Sequence, residues 1–241
     1  MTPKEHYQNY LQNFYSWMSG DFNARTFEQQ QFFLQRQILP DGNARAFDLG
    51  SGHGIQALPL ARLGFEVKAV DFNAHLLSEL NQNKGQHKID VVHDDILNFL
   101  RHTNEKAGLI VCMGDTITHL ASIAVIRDTI AEIHHHLSNR GKFITSFRDL
   151  TRELTGASRF IPVKNDDHRI LTCFLEYFTE HVMVHDILHE KNNGEWQQNV
   201  SAYPKVRIGE GEFRQIMEST GFRISSAETI RGMCYIIAVK E

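Results

Sequence analysis

The chain has 241 residues, 41% hydrophobic and 22% charged, enough to bury a substantial core as one α/β domain with an appendage. A net charge of -4 gives no broad basic surface and excludes general nucleic-acid binding. Cys112, Cys173 and Cys234 stand far apart in apolar stretches, excluding a disulfide frame, and no apolar run approaches the about 18 residues a membrane helix needs. The expectation is a soluble, cytoplasmic protein, monomer or homodimer, whose partner is a small molecule.

Residues 5–39 read as helical and unusually aromatic, with a break at "SGDFN" and a stop at "PDGN". Two or more helices are predicted over 1–43, as a cap that packs on the core or covers a pocket. From 44 to 150 strands alternate with helices: "RAFDLG", "FEVKAVD", "KIDVVHD", "AGLIVCMG" and "GKFITSF" are separated by "IQALPLARL", "AHLLSELNQ", "ILNFLRH" and "SIAVIRDTIAEIHHHL". That order predicts a Rossmann-like, doubly wound parallel sheet. His134, His135 and His136 close the last helix, but consecutive helical residues point apart, so no metal site is expected. Residues 151–206 change character. "RILTCFLEYF", "HVMVHDILHE" and "EWQQNVSAY" alternate like strands around a "KNNG" hairpin signal, predicting an inserted antiparallel ribbon. Residues 207–241 return to the core with a helix at "EGEFRQIMEST" and two strands joined at "RG".

The stretch "AFDLGSGHGIQALPLARLGFEVKAVDFN" (46–73) is a strand, a glycine turn, a helix and a second strand ending on an acid. Free N–H groups and a helix dipole meet at such a turn and suit a nucleotide-like ligand. The spacing is GxGxG through Gly50, Gly52 and Gly54, not the dinucleotide GxGxxG, since Ile55 stands where the third glycine would. Asp71 ends the second strand at the right place for ribose hydroxyls. Asp48, just before the turn, would repel a pyrophosphate and attract an amino group. A cofactor with an ammonium and a ribose but no phosphate suits this pair. An NAD-dependent oxidoreductase and a noncatalytic cofactor-binding module stay open as alternatives.

"FDLGSGHG", the acid in "AVDFN", "HDDILNF" and "LIVCMGDTITHL" resemble, in order, the motifs of class I S-adenosylmethionine-dependent methyltransferases. The resemblance covers most of 47–147. It implies a seven-stranded sheet with an antiparallel last strand and in-line methyl transfer without metal. It implies S-adenosylmethionine as cofactor, with Gly50 and Gly52 near its methionine part, Asp71 on its ribose and Asp95 with Ile96 around its adenine. Asp48, Phe72, Met113 and Gly114 complete the expected cofactor set.

Because the reactive group belongs to the cofactor, acceptor residues are expected at the ends of the fourth and fifth strands. Those segments, "GDTITHL" and "SFRDLTREL", most resemble small-molecule N-methyltransferases of the glycine N-methyltransferase kind. Gly114, Asp115, His119 and Arg148 take the matching places, the last three as catalytic candidates. Asp115 departs from the amide of that pattern and Leu150 from an aromatic residue. A free carboxylate at 115 would favour a substrate cation and disfavour an amino-acid carboxylate. Tyr177, His181 and His185 are read as one face of the ribbon, lining the pocket roof or merely covering the sheet. Tyr203, Lys205 and Arg207 mark its return to the core.

Overall fold

The computed structural model describes residues 1–241. Its first layer is the aromatic N-terminal segment: α1 (Pro3–Asn9), a 3-10 turn, α2 (Tyr15–Ser19) and α3 (Phe22–Gln35). A capping box fixes the start of α1, with the Thr2 hydroxyl accepting from the Glu5 N–H and the Glu5 carboxylate from the Thr2 N–H.

Strands β1 (Arg45–Leu49), β2 (Glu66–Asp71), β3 (Ile89–His93), β4 (Ala107–Cys112) and β5 (Leu137–Phe147) alternate with α4 (Ala57–Arg62), α5 (Ala74–Asn83), a 3-10 stretch (Ile96–His102) and α6 (Ile123–His136). The "ILNFLRH" pattern thus forms a 3-10 stretch and not a regular helix; Asp95 caps it, and Asp94 accepts from Asn98 and His102 within it. After an inserted sheet come α7 (Glu210–Ser219), β10 (Phe222–Ile230) and β11 (Met233–Lys240).

The main sheet has seven strands in the order β3-β2-β1-β4-β5-β11-β10. β11 is antiparallel to both neighbours, as the resemblance implied. Strand order reverses between β1 and β4, which opens a crevice at their C-terminal ends. Alternation along β1 sends Phe47 and Leu49 into the core beneath α6 and α7, while Ala46 packs with Phe33, Leu60 and Leu80 on the opposite face. Asp48 shares the side of Ala46.

The inserted sheet has four antiparallel strands, β6 (Phe160–Asn165), β7 (Arg169–Tyr177), β8 (His181–Asn192) and β9 (Glu195–Val206). β6 was not legible in the sequence because Pro162 interrupts its pattern; as an edge strand with a register shift after Pro162, it tolerates the missing donor. The "KNNG" signal is a two-residue turn with Asn193 and Gly194 at φ of 53° and 88°, and "RG" is another, Arg231 and Gly232 at 50° and 75°.

Direct cross-strand pairs separate the two faces of this sheet. Cys173, Asp186 and Ser201 form one inward row, Leu175, Val184 and Tyr203 the next, and Tyr177, Val182 and Lys205 the third. His181 and His185 lie on the outer face, His181 stacked on Phe178 and His185 bonded to Glu176. They therefore do not share a face with Tyr177: three residues of turn separate β7 from β8 and reset the alternation. Leu11 and Phe14 of the N-terminal segment pack against Leu171 and Leu188 of the inward face, so that segment is clamped between the inserted sheet and the strand ends of the core.

Candidate functional site

At the end of β1 the chain turns through Gly50, Gly52 and Gly54, all with positive φ. A Cβ on Gly50 would run into the Thr116 side chain. Gly50→Ala is therefore expected to destabilise by about 2–4 kcal/mol from overpacking and positive φ together, and Gly50→Ala with Thr116→Ala to recover part of that loss in thermal unfolding. A Cβ on Gly52 would face the Tyr15 hydroxyl at 3.5 Å. The Gly52 N–H donates to Asp71 Oδ2 and the Asn73 N–H to Asp71 Oδ1, both at 2.8 Å, which aims the β2 acid at the turn.

Asp48 is 1% exposed and its Oδ2 has no partner. Burial, reinforced by the Asp71 charge, raises its pKa to about 8, and burial raises Asp71 to about 6 despite its two N–H donors. An unpaired buried oxygen costs about 1–3 kcal/mol, so this acidic pair is built for a cation or donor. Tyr15, whose hydroxyl is pushed up to about 12 by burial and the nearby Asp71 charge, and Tyr7, edge-on to Phe72 at 5.7 Å, cover the pair.

The remaining predicted cofactor residues follow the crevice. Asp95 caps the 3-10 stretch through the Leu97 N–H at 3.0 Å, and Ile96 is buried in the main core. Met113 is buried with its sulfur facing Gln29 Nε2 at 3.8 Å. Gly114 donates its N–H to Ser146 Oγ at 2.9 Å, and the space where its Cβ would stand is open.

Asp115 has φ of 74° and is 3% exposed. Its Oδ1 accepts from the Arg148 backbone N–H at 2.7 Å; its Oδ2 accepts from Arg148 Nη1 at 2.8 Å and from Lys205 Nζ at 2.9 Å. Burial would raise its pKa, but the Lys205 and Arg148 charges and these bonds hold it well below the carboxylate range. The expectation that Asp115 offers a free negative anchor is thereby corrected. Two cations share one carboxylate, and the Arg148 side chain remains 54% exposed.

His119 sits between Tyr7 and Tyr203, at 5.6 and 5.5 Å between ring centroids. Its Nε2 is buried without a partner, and burial followed by the Lys205 charge lowers its pKa to about 3. It is a neutral imidazole. Sequence reasoning brought Asp115, His119 and Arg148 together and left Lys205 undecided, but it missed His6, Tyr7, Tyr15 and Asp186. Asp186 carried a readable signal, an acid at the apolar phase of β8 among Val182, Val184 and Leu188. Nothing local marked His6.

Residues 46–141 match the family described as "Methyltransferase domain". The chain is 29% identical over 150 residues to a glycine/sarcosine N-methyltransferase of Aphanothece halophytica, covering 60% of this chain and 56% of that protein. It is 28% identical over 131 residues to one of Halorhodospira halochloris, covering 54% and 48%. The chain spans about half the length of the curated relatives it matches. Its fold is that of the CcbJ methyltransferase of Streptomyces caelestis, with a TM-score of 0.76 at 16% identity over 89% of this chain and 90% of the other. The sugar N-methyltransferase KedS8 of Streptoalloteichus sp ATCC 53650 has the same fold, with a TM-score of 0.70 at 12% identity over 92% and 89%.

Residues 46–141 carry a methyltransferase domain, and the fold is that of an S-adenosylmethionine-dependent methyltransferase of solved structure. Within this methyltransferase fold the Gly turn, Asp48 and Asp71 lie on one side of the switch point, and Asp115 with Arg148 on the other. No helix is long and apolar enough to cross a membrane.

Proposed function

We propose that the protein methylates the nitrogen of a small acceptor that also bears a carboxylate. The observation that carries this reading is that Arg148 and Lys205 share the single Asp115 carboxylate, which leaves the exposed Arg148 guanidinium with donors to spare at the strand ends. An exposed guanidinium with unused donors is suited to a bidentate carboxylate. The names of the glycine/sarcosine N-methyltransferases support the same acceptor class.

At the other end, Asp48 Oδ2 fits the ammonium of S-adenosylmethionine and the second lone pairs of Asp71 fit its ribose hydroxyls. Gly50 and Gly52 let the backbone approach its methionine part, Phe72, Met113 and Gly114 flank it, and Asp95 with Ile96 stands at the adenine end. When bound, this cofactor supplies a methyl group activated on a sulfonium, so no side chain has to form a covalent bond. The chain's task is to align the acceptor, exclude water and manage one proton. Tyr7 and Tyr15 exclude water from above. The acidic pair at the turn disfavours a pyrophosphate and with it the dinucleotide alternative.

The test is methyl transfer from labelled S-adenosylmethionine to glycine, sarcosine and an amino sugar without a carboxylate. Label is expected in glycine or sarcosine. Label in the amino sugar alone would remove the carboxylate from the reading, and S-adenosylhomocysteine binding with no transfer to any acceptor would favour a noncatalytic module. Arg148→Ala is expected to raise the acceptor KM about 10- to 100-fold through loss of a charge-assisted contact, with S-adenosylhomocysteine affinity unchanged. Steady-state kinetics beside calorimetry checks it.

A further inference from the structure

His6 lies in α1, far in sequence from every family motif, and is 0% exposed. Its Nε2 meets Asp186 Oδ2 at 3.0 Å, and Asp186 Oδ1 accepts from Cys173 Sγ at 2.9 Å, so both carboxylate oxygens are fixed. The His6 ring stacks on Tyr203 with 4.2 Å between centroids. Its other nitrogen, Nδ1, is buried and has no partner. With Nε2–H directed at the carboxylate, Nδ1 presents a lone pair, and leaving it unmet costs folding energy.

The surroundings say what meets it. Tyr203 is two residues before Lys205 on the same strand, which puts His6 beside the proposed carboxylate anchor. His119 borders the same Tyr203 ring, and its Nε2 is likewise without a partner. Tyr7 bridges from this group to Phe72 and Tyr15 over the cofactor end. The ionisable groups around His6 are Asp186 on β8, Cys173 on β7, Tyr203 and Lys205 on β9, His119 after β4, and Tyr7 and Tyr10 on its own segment. Among these, Asp186 is the one carboxylate in contact with the ring. His119 has Lys205 beside it and stays neutral, so it can orient a donor but is ill placed to keep a proton.

We propose that His6, held by Asp186, is a catalytic residue that takes the proton an acceptor ammonium must lose before its nitrogen can attack. This rests on the N-methyl transfer reading above. The N–H bond of the ammonium breaks, its proton binds His6 Nδ1, and its electron pair stays on nitrogen. That pair forms the bond to the methyl carbon as the carbon–sulfur pair departs onto sulfur, giving a thioether. The product leaves as a methylated ammonium, and His6 returns its proton to solvent, so the net reaction releases one proton. Asp186 stabilises the imidazolium between these events and fixes which nitrogen is free.

The experiment compares wild type, His6→Gln and Asp186→Asn with labelled S-adenosylmethionine and sarcosine or glycine, whichever wild type uses faster. His6→Gln is expected to lower kcat at least about 100-fold at neutral pH. S-adenosylhomocysteine affinity by calorimetry should stay within about twofold. The deficit should shrink as pH nears the acceptor amine's own pKa, where solvent removes the proton. In the wild-type S-adenosylhomocysteine complex, the acceptor should shift the nitrogen NMR signal of His6 Nδ1. A kcat within about threefold of wild type, a deficit independent of pH, or a loss of S-adenosylhomocysteine binding in step with kcat would overturn the proposal. Wild type that binds S-adenosylhomocysteine yet labels neither amine would instead remove the N-methyl reading, and the His6 role with it.

Discussion

Asp115→Ala is expected to lower the melting temperature by about 10 °C or more, before any effect on turnover is considered. The substitution strands the Lys205 ammonium, 10% exposed, and frees the Arg148 N–H and guanidinium from the carboxylate that holds them. Breaking a buried ion pair from one side costs about 3–5 kcal/mol, and in a chain of this size each kcal/mol shifts the midpoint by about 2–4 °C. Because the folded protein holds the Asp115 pKa down, its stabilisation is complete above the unfolded value near pH 4 and is lost only as pH falls through the lower folded one. The difference between wild type and variant should persist at neutral pH and narrow only in strong acid. Lys205→Met added to Asp115→Ala should restore part of the loss, since an apolar side chain leaves no unpaired charge. Thermal unfolding of the ligand-free proteins from acid to neutral pH checks all three statements; a wild-type midpoint in Asp115→Ala would show that the trio does not hold the strand ends together.

Asp48→Asn should act in the opposite direction on stability and strongly on binding. With a folded pKa near 8 against an ordinary carboxylate value near 4, the native protein keeps a proton that the unfolded chain releases. Ligand-free stability therefore falls as pH rises from about 4 to about 8, and the neighbouring Asp71, raised to about 6, adds to the lower half of that fall. Asparagine has no proton to lose, so the variant should show a flatter curve and a higher midpoint at pH 8. Its S-adenosylhomocysteine affinity should drop at least about tenfold, because a charge-assisted contact is worth about 1.5–3 kcal/mol. Calorimetry and melting across that pH range separate the two effects. Parallel melting curves for wild type and variant would mean that Asp48 is not the buried acid responsible.

The acceptor end shows how far pattern reading reaches. Asp115, His119 and Arg148 follow β4 and β5, where the direction of a parallel sheet gathers residues at one edge of the crevice, so periodicity and motif order were enough to nominate them. Their electrostatic meaning was not. Asp115 on its own suggests a site for cations; with Lys205 reaching it from β9, 90 residues away, the same carboxylate is consumed by two cations of the chain itself and is no free anchor. No local pattern encodes that sharing.

The inserted sheet makes the same division. Its β8–β9 hairpin turn was legible because Asn-Gly at positive φ is a chemical requirement of a two-residue connection. The face each side chain takes was not, because the alternation restarts after every turn and its phase is set by what packs on it. His181 and His185 were therefore put on the face of Tyr177, while Asp186, at the apolar phase of its own strand, had no partner the sequence could name. His6 needed still more, since a lone histidine in a short helix acquires its partners only when the N-terminal segment is clamped between two sheets.

By itself the sequence determined the alternation of strands and helices along the core, the glycine turn and the acids that flank it, because these follow from short-range sterics, hydrophobic periodicity and motif spacing along one continuous stretch. The tertiary structure decided the sharing of Asp115 between Arg148 and Lys205, the placing of Tyr7 and Tyr15 beside Phe72 and the glycine turn, and the pairing of His6 with Asp186. Each of these depends on side chains brought together from separate layers, and the energy of a charge or an unpaired nitrogen is set by the neighbours and the water it keeps after folding.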